Sequence, residues 1–288
     1  TPVQVQAKIN ESTYANIKSI SSHQGFHTLA MDDEGNVWVW GRNNYSQLGN
    51  GNTTNQSTPF KLDTAACFGG EEITGLATGQ YNSFAFNSTK VWAWGRNNYG
   101  QLGTGDTNDL DEVTEILPLA DFNIKEISAN AYFTLILKND ETVYSCGYNS
   151  SGRLGIGNTT NQTIPNQVIG GTGGEFLTGV KSISSGNGQS FALKNTDNAF
   201  WTWEYNGYGS LGDRTLNNKY TPLEVSVETT EPVQSGTPNK PVLVNGLQPI
   251  VWNQSENKWD VTTEDDTNWF NTSFYYESQK KWCNAVIG

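Results

Sequence analysis

Few residues in this sequence are of the types that make and break covalent bonds, and they do not gather. The two histidines, His23 and His27, lie close together near the start of the chain. An imidazole there can serve as a general base or can pack and hydrogen-bond. Three cysteines, Cys67, Cys146 and Cys283, contain no CxxC pair, allow at most one internal disulfide and leave one odd thiol. With that spacing and both histidines in one place, no zinc site is expected. GGTGGE (170–175) is Gly-rich but lacks the Lys-Ser/Thr and following helix of a phosphate-cradling loop, and reads as a connection between elements. TEDDTN (263–268) offers oxygens to a calcium ion, but its spacing does not dictate the coordination. The last stretch of the chain holds Trp252, Trp259, Trp269 and Trp282, four of its ten tryptophans. Their flat faces could stack on sugar rings, or a module this small could need every indole for its own core. These tryptophans are the candidate binding residues; no catalytic set, cofactor or metal is expected.

Composition narrows the partner classes. The formal charge is −12, with 17 Lys plus Arg among 288 residues, which argues against a nucleic-acid backbone as ligand. No apolar stretch is long enough for a membrane helix. Ten Asn-x-Ser/Thr sequons occur in an Asn- and Thr-rich chain, where many arise by chance. The chain opens on TPVQV without Met, which reads as a processed or truncated start.

The elements that must carry any site come from a repeat. WVWGRNNYSQLGNGNTTNQSTP (38–59), WAWGRNNYGQLGTGDTND (92–109), YSCGYNSSGRLGIGNTTNQTIP (144–165) and WTWEYNGYGSLGDRTLNNKYTP (201–222) align so that Leu48, Leu102, Leu154 and Leu211 correspond, in steps of 54, 52 and 57 residues. Each copy is preceded by two apolar strands, such as IKSISS and GFHTLAM, and followed by another, such as STPFKL. Four short strands per unit of about fifty residues is the pattern of a β-propeller blade. In VWVWG the Trp side chains share one strand face and the Val side chains the other, as expected of sheets buried on both faces, the indole filling the gap between neighbouring blades. The glycines of GRNNYGQLGTG supply positive φ in a compact loop. The phrase therefore reads as a building block. At the position of His27 the other copies carry Asn82, Phe133 and Gln189, which favours a packing role for the imidazole.

WAWGRNNYGQLGTGD, with HTLA upstream and STP downstream, resembles the repeat of the regulator of chromosome condensation family over roughly residues 1–227. Cys146 replaces the tryptophan in the third copy, and Glu204 stands where Gly41, Gly95 and Gly147 stand in the others. The resemblance implies a seven-bladed ring of four-stranded antiparallel sheets. Only four copies are present, and TPVQV aligns with the last strand of a blade whose other strands are missing. Blades removed, blades supplied by a partner, and a smaller or open ring all remain open. Nucleotide exchange on a small GTPase is implied only by kinship, since no inserted wedge interrupts the repeats.

The fold expected is all-β: blades at about 17–62, 71–117, 123–169 and 179–225 with residues 1–5 a stray last strand, a linker at 228–241, and a Trp-rich β module at 242–288. That module resembles, over fewer than fifty residues, aromatic modules of bacterial cell-surface and pilin-like proteins. The function expected is non-catalytic binding or assembly outside a bacterial cell, with a protein partner or self-association and a glycan as a further candidate. The rivals are a filament subunit completed by its neighbours, an exchange-type GTPase regulator, and a carbohydrate-binding module.

Overall fold

The computed structural model describes residues 16–22, 26–120, 122–171, 173–195 and 200–225, and the backbone of 250–253, 258–261, 275–276 and 283–284. Two compact units divide the chain, Thr1–Val227 and Glu228–Gly288. The first holds four antiparallel sheets, each a meander of four consecutive strands. Blade one comprises β1 (Ile17–Ser21), β2 (His27–Asp32), β3 (Val37–Gly41) and β4 (Gln56–Lys61). After a short helix α1 (Thr64–Phe68) come β5 (Gly75–Thr78), β6 (Asn82–Phe86), β7 (Val91–Gly95) and β8 (Leu110–Glu115) of blade two. A 3-10 turn, Leu117–Leu119, leads to β9 (Ile124–Ala129), β10 (Phe133–Lys138), β11 (Val143–Gly147) and β12 (Gln162–Gln167). Blade four is β13 (Val180–Ser185), β14 (Gln189–Lys194), β15 (Phe200–Glu204) and β16 (Lys219–Val225). The first strand of each blade neighbours the first strand of the next, as in a propeller.

Sequence pattern explains the burial. Both inner strands of blade two, NSFAF and VWAWG, are buried at every position, whereas LDEVTE at its outer edge alternates with solvent. Three inter-blade layers form the core. Leu29, Met31, Val37 and Val39 of blade one face Trp92 and Trp94 of blade two. Phe84, Phe86 and Ala93 face Ile127, Ala129 and Ile136 of blade three. Phe133, Leu135 and Val143 face Ala192 and Trp203 of blade four. The indoles fill the gap between radial sheets, as the alternation in VWAWG implies. Helix α1, not foreseen from the sequence, is capped by Asp63, whose side chain accepts from the amides of Ala65 and Ala66. It carries Phe68 edge-on to Trp92, with ring centroids 5.5 Å apart.

Every blade breaks register between its third and fourth strands: Val39/Gly41, Ala93/Gly95, Ser145/Gly147 and Thr202/Glu204. A bulge re-aims the residue it contains, and these residues are Trp40, Trp94, Cys146 and Trp203.

In the second unit the hairpin read from PIVWNQSENKWDV forms, with β17 (Ile250–Asn253) antiparallel to β18 (Lys258–Val261) and Trp252 opposite Trp259. A shorter pair follows, β19 (Tyr275–Tyr276) with β20 (Cys283–Asn284), so its pairing runs past the WFNTSFYYESQKKW segment expected to hold it. The stray strand 1–5, His23, the linker 228–241, TEDDTN, Trp269 and Trp282 lie outside the described residues.

Candidate functional site: the loop face of the blades

The repeated Asn of GRNN and its equivalents builds the loop between third and fourth strands. Asn43, Asn97, Asn149 and Asn206 are all fully buried. In each blade its Oδ1 accepts from the amide of the loop leucine: Leu48 (2.9 Å), Leu102 (2.9 Å), Leu154 (3.0 Å) and Leu211 (3.0 Å). Its Nδ2 donates to a carbonyl farther along, of Asn52, Asp106, Asn158 or Thr215. Its own amide donates to the side chain of Asn55, Asp109, Asn161 or Asn218. One buried amide thus satisfies a whole loop, which is why the sequence repeats it. Two sequon asparagines, Asn87 and Asn149, are buried in such networks, while Asn44, Asn52, Asn55, Asn158 and Asn161 are exposed.

The same loop latches onto the next blade. The carbonyl of Gln47 accepts from Trp94 Nε1 (2.8 Å) and Ser83 Oγ (2.7 Å). The carbonyl of Arg153 accepts from Trp203 Nε1 (2.8 Å) and Ser190 Oγ (3.0 Å). Between them, Gln101 receives Thr134 Oγ1 at 2.8 Å and the Cys146 thiol at 3.7 Å. Cys146 therefore keeps a weak version of the tryptophan latch. Burial pushes its pKa up to about 12, so the thiol is inert. His27 belongs to this packing too: its Nε2 lies 2.8 Å from Ser83 Oγ of the next blade. Because Ser83 gives its proton to Gln47, His27 donates from Nε2; burial lowers its pKa to about 4. It is a neutral structural residue.

Over the latches, on the blade end that carries the β1–β2 and β3–β4 loops and their equivalents, lies a belt of aromatic rings and guanidinium groups. Arg42 sits over Phe26 (5.4 Å to the centroid) and Tyr81 (5.7 Å). Arg96 sits over Tyr45 (4.8 Å) and the same Tyr81 (5.5 Å). Tyr45 and Tyr81 are 5.0 Å apart. One blade on, Tyr99 packs against Tyr148 (4.7 Å) and Tyr132 (5.9 Å), with Arg153 over Tyr148 at 4.8 Å. Tyr205 and Tyr208 continue the series, and Tyr208 is 88% exposed. The rings of Tyr45, Tyr81, Tyr99, Tyr132 and Tyr148 are half-buried. Rigid Tyr and Arg held half-exposed on a fixed frame are the composition of protein-binding hot spots. Sequence reasoning missed this belt, because its neighbours come from different repeats.

Blade four departs from the pattern at one corner. Gly41, Gly95 and Gly147 have φ of 107°, 96° and 110°, and Glu204 holds φ of 102° in the same place. In the first three blades the following amide donates to the carbonyl before the second strand: Arg42 to Phe26, Arg96 to Tyr81, Tyr148 to Tyr132. A Cβ at those glycines would collide with that carbonyl. Glu204 has one, and no such bond joins Tyr205 to Gly188. Its carboxylate is fully buried, with Oε1 2.9 Å from Arg153 Nε but off the N–H axis, and Oε2 without a hydrogen-bond partner. Burial raises its pKa to about 7 although Arg153 pulls the other way. Arg153 itself stands where Gln47 and Gln101 stand in the earlier loops.

Of the four tryptophans expected to bind, Trp252 and Trp259 are register partners in the β17–β18 hairpin. Among the described residues no group of three His, Cys, Asp or Glu side chains is placed to hold a metal ion, and no helix is long and apolar enough to cross a membrane.

Four-stranded blades latched to one another by loop carbonyls define a β-propeller repeat scaffold. Residues 34–86, 89–137 and 140–193 each match the regulator of chromosome condensation (RCC1) repeat, and 124–153 match a second form of it. The chain belongs to this family. Each matched segment runs from the third strand of one blade to the second strand of the next, so the family repeat spans the latch. Over 198 residues the chain is 30% identical to the ultraviolet-B receptor UVR8 of Arabidopsis thaliana, covering 68% of this chain and 43% of the receptor. It is 27% identical over 197 residues to the human E3 ubiquitin-protein ligase HERC2, covering 67% of this chain and 4% of the ligase. In fold it is similar to Prp20p of Saccharomyces cerevisiae, with a TM-score of 0.65 at 22% identity over 80% of this chain and 54% of Prp20p. Human WBSCR16 gives a TM-score of 0.64 at 22% identity, over 81% of this chain and 56% of that one. The chain thus spans less than two thirds of the length of each.

Proposed function

We propose that this protein is a non-catalytic scaffold that holds a partner protein on the loop face of its blades. The observation that carries this is the Arg–aromatic belt: rings from adjacent blades, fixed by buried asparagine hubs and left half-exposed on one side. Protein binding is also what is described for the similar Prp20p, whose binding properties to Gsp1p and histones have been studied. To test it, a displayed peptide library is panned against the full chain and the selected peptides are mapped by hydrogen exchange. Protection is expected in the loops 42–55 and 96–109. Protection confined to the opposite ends of the blades, at Asp33–Asn36 and Asn139–Thr142, overturns the reading.

As the compartment we propose the outside of a bacterial cell, on the strength of the Lys-poor, Asn- and Thr-rich composition; protease digestion of intact cells tests it. The second unit supports a subsidiary reading, stacking on sugar rings, because its first hairpin sets Trp252 directly opposite Trp259. A glycan array with Trp252→Ala and Trp259→Ala tests that one: array binding that survives both substitutions removes it.

A further inference from the structure

We propose that the loop face recognises an extended, carboxylate-bearing segment of its protein partner, with Arg42 and Arg96 as the paired anion-receiving groups. This rests on the protein-binding reading above and adds to it the chemistry of the partner. The chain carries only four arginines within a net charge of −12, and two of them occupy the same repeat position in adjacent blades. Each lies over two aromatic rings, and both share Tyr81. Stacking engages the face of a guanidinium and leaves its in-plane N–H groups free for a bidentate carboxylate.

What sets these two cations apart is that they share one aromatic ring and have no carboxylate nearby among the described residues. Lys90, Lys138, Arg153 and Lys219 all have a carboxylate within 4.0 Å, whereas no carboxylate among the described residues comes that close to Arg42 or Arg96. Two like charges packed against one ring, in a protein with an excess of acid elsewhere, are disposed to take anions from outside. The fixed rings remove much of the ordering cost such a contact would carry. Spacing defines the ligand further. Both guanidinium carbons lie within 6 Å of the Tyr81 centroid, so they are at most about 11 Å apart. Alternate side chains of an extended segment fall on one face about 7 Å apart, within reach of both. An acidic residue at every second position therefore suits the pair, with the half-buried tyrosines receiving apolar atoms of the segment.

The probe is a fluorescein-labelled dodecapeptide of alternating Ser and Glu, compared by anisotropy with its Ser/Gln counterpart and with a single-stranded DNA dodecamer on the full chain. The glutamate peptide is expected to bind at least tenfold more tightly than the glutamine peptide or the DNA. Arg42→Ala and Arg96→Ala are each expected to weaken it at least threefold, and the pair to abolish binding. Arg42→Lys with Arg96→Lys, which keeps charge but not the planar fork, should also weaken it. Lys125→Ala and Lys181→Ala, exposed cations on β9 and β13, should leave it unchanged. No binding of the glutamate peptide at millimolar concentration, equal binding of either comparison ligand, survival in the double arginine variant, or equal sensitivity to the lysine variants overturns the inference. Library peptides that protect the loop face without any carboxylate preference would leave the scaffold reading standing and sink only this one.

Discussion

Replacing Glu204 by Gly should stabilise the protein, and by more at alkaline than at acid pH. Two costs meet at this residue. A non-Gly side chain held in a sparsely populated backbone region costs about 1–3 kcal/mol, and Glu204 sits at φ of 102° where three blades use glycine. Glycine gives back about 1 kcal/mol of that through its freer unfolded chain. The second cost is the buried carboxylate, whose pKa is about 7 in the fold against an ordinary value of 4.5. A carboxyl raised on folding keeps a proton that the unfolded chain has shed, so its contribution is greatest below pH 4.5 and is lost as pH rises to 7. The loss amounts to about 3 kcal/mol at pH 8 and under about 1 kcal/mol at pH 5. Glu204→Gly should therefore gain about 2–3 kcal/mol more at pH 8 than at pH 5, measured by urea unfolding followed by tryptophan fluorescence. Glu204→Gln keeps the side chain and removes the charge, so it should recover only the pH-dependent part. Arg153→Gln, alone, should destabilise at pH 8 by removing the cation 2.9 Å away, and should be nearly neutral in the Glu204→Gly background. Equal effects of Glu204→Gly at the two pH values, or destabilisation at both, would refute the reasoning.

His27 should add its own slope below neutrality: its pKa is lowered to about 4, so its contribution is complete above 6.5 and is lost as pH falls to 4. Unfolding curves of Glu204→Gly with and without His27→Gln between pH 4 and 7 check this, the difference between them being the imidazole's share. Asn97→Ala should cost about 2–4 kcal/mol, because it strands the buried amide of Leu102 and opens the loop hub; denaturant midpoints measure it. Trp94→Phe should cost about 1–2 kcal/mol through the lost bond to the Gln47 carbonyl, which keeps Ser83 as donor. In the native protein Cys146 should resist alkylation, since roughly one thiol in ten thousand is ionised at pH 8 when the pKa is about 12. Labelling at Cys146 without denaturant, read by peptide mass spectrometry, would contradict the buried latch.

The blades were legible in the sequence because each is a local object. Alternation in VWVWG, the glycines at strand ends and the recurrent Asn-to-Leu spacing act over five to twenty residues, and the hydrogen bonds they predict close within one loop. The packing role of His27 and the place of Cys146 at a core tryptophan position could also be read, because the repeat shows what other copies carry at those positions. What tertiary structure alone decided lies between blades. Arg96 meets Tyr45, and Glu204 meets Arg153, across about fifty residues of chain, at distances set by how one sheet stacks on the next. In the sequence Glu204 is a lost glycine and Arg153 a substituted glutamine; stacking makes them a buried pair. The same stacking turns scattered Tyr and Arg letters into one face, because a propeller brings the same loop of every repeat to the same side.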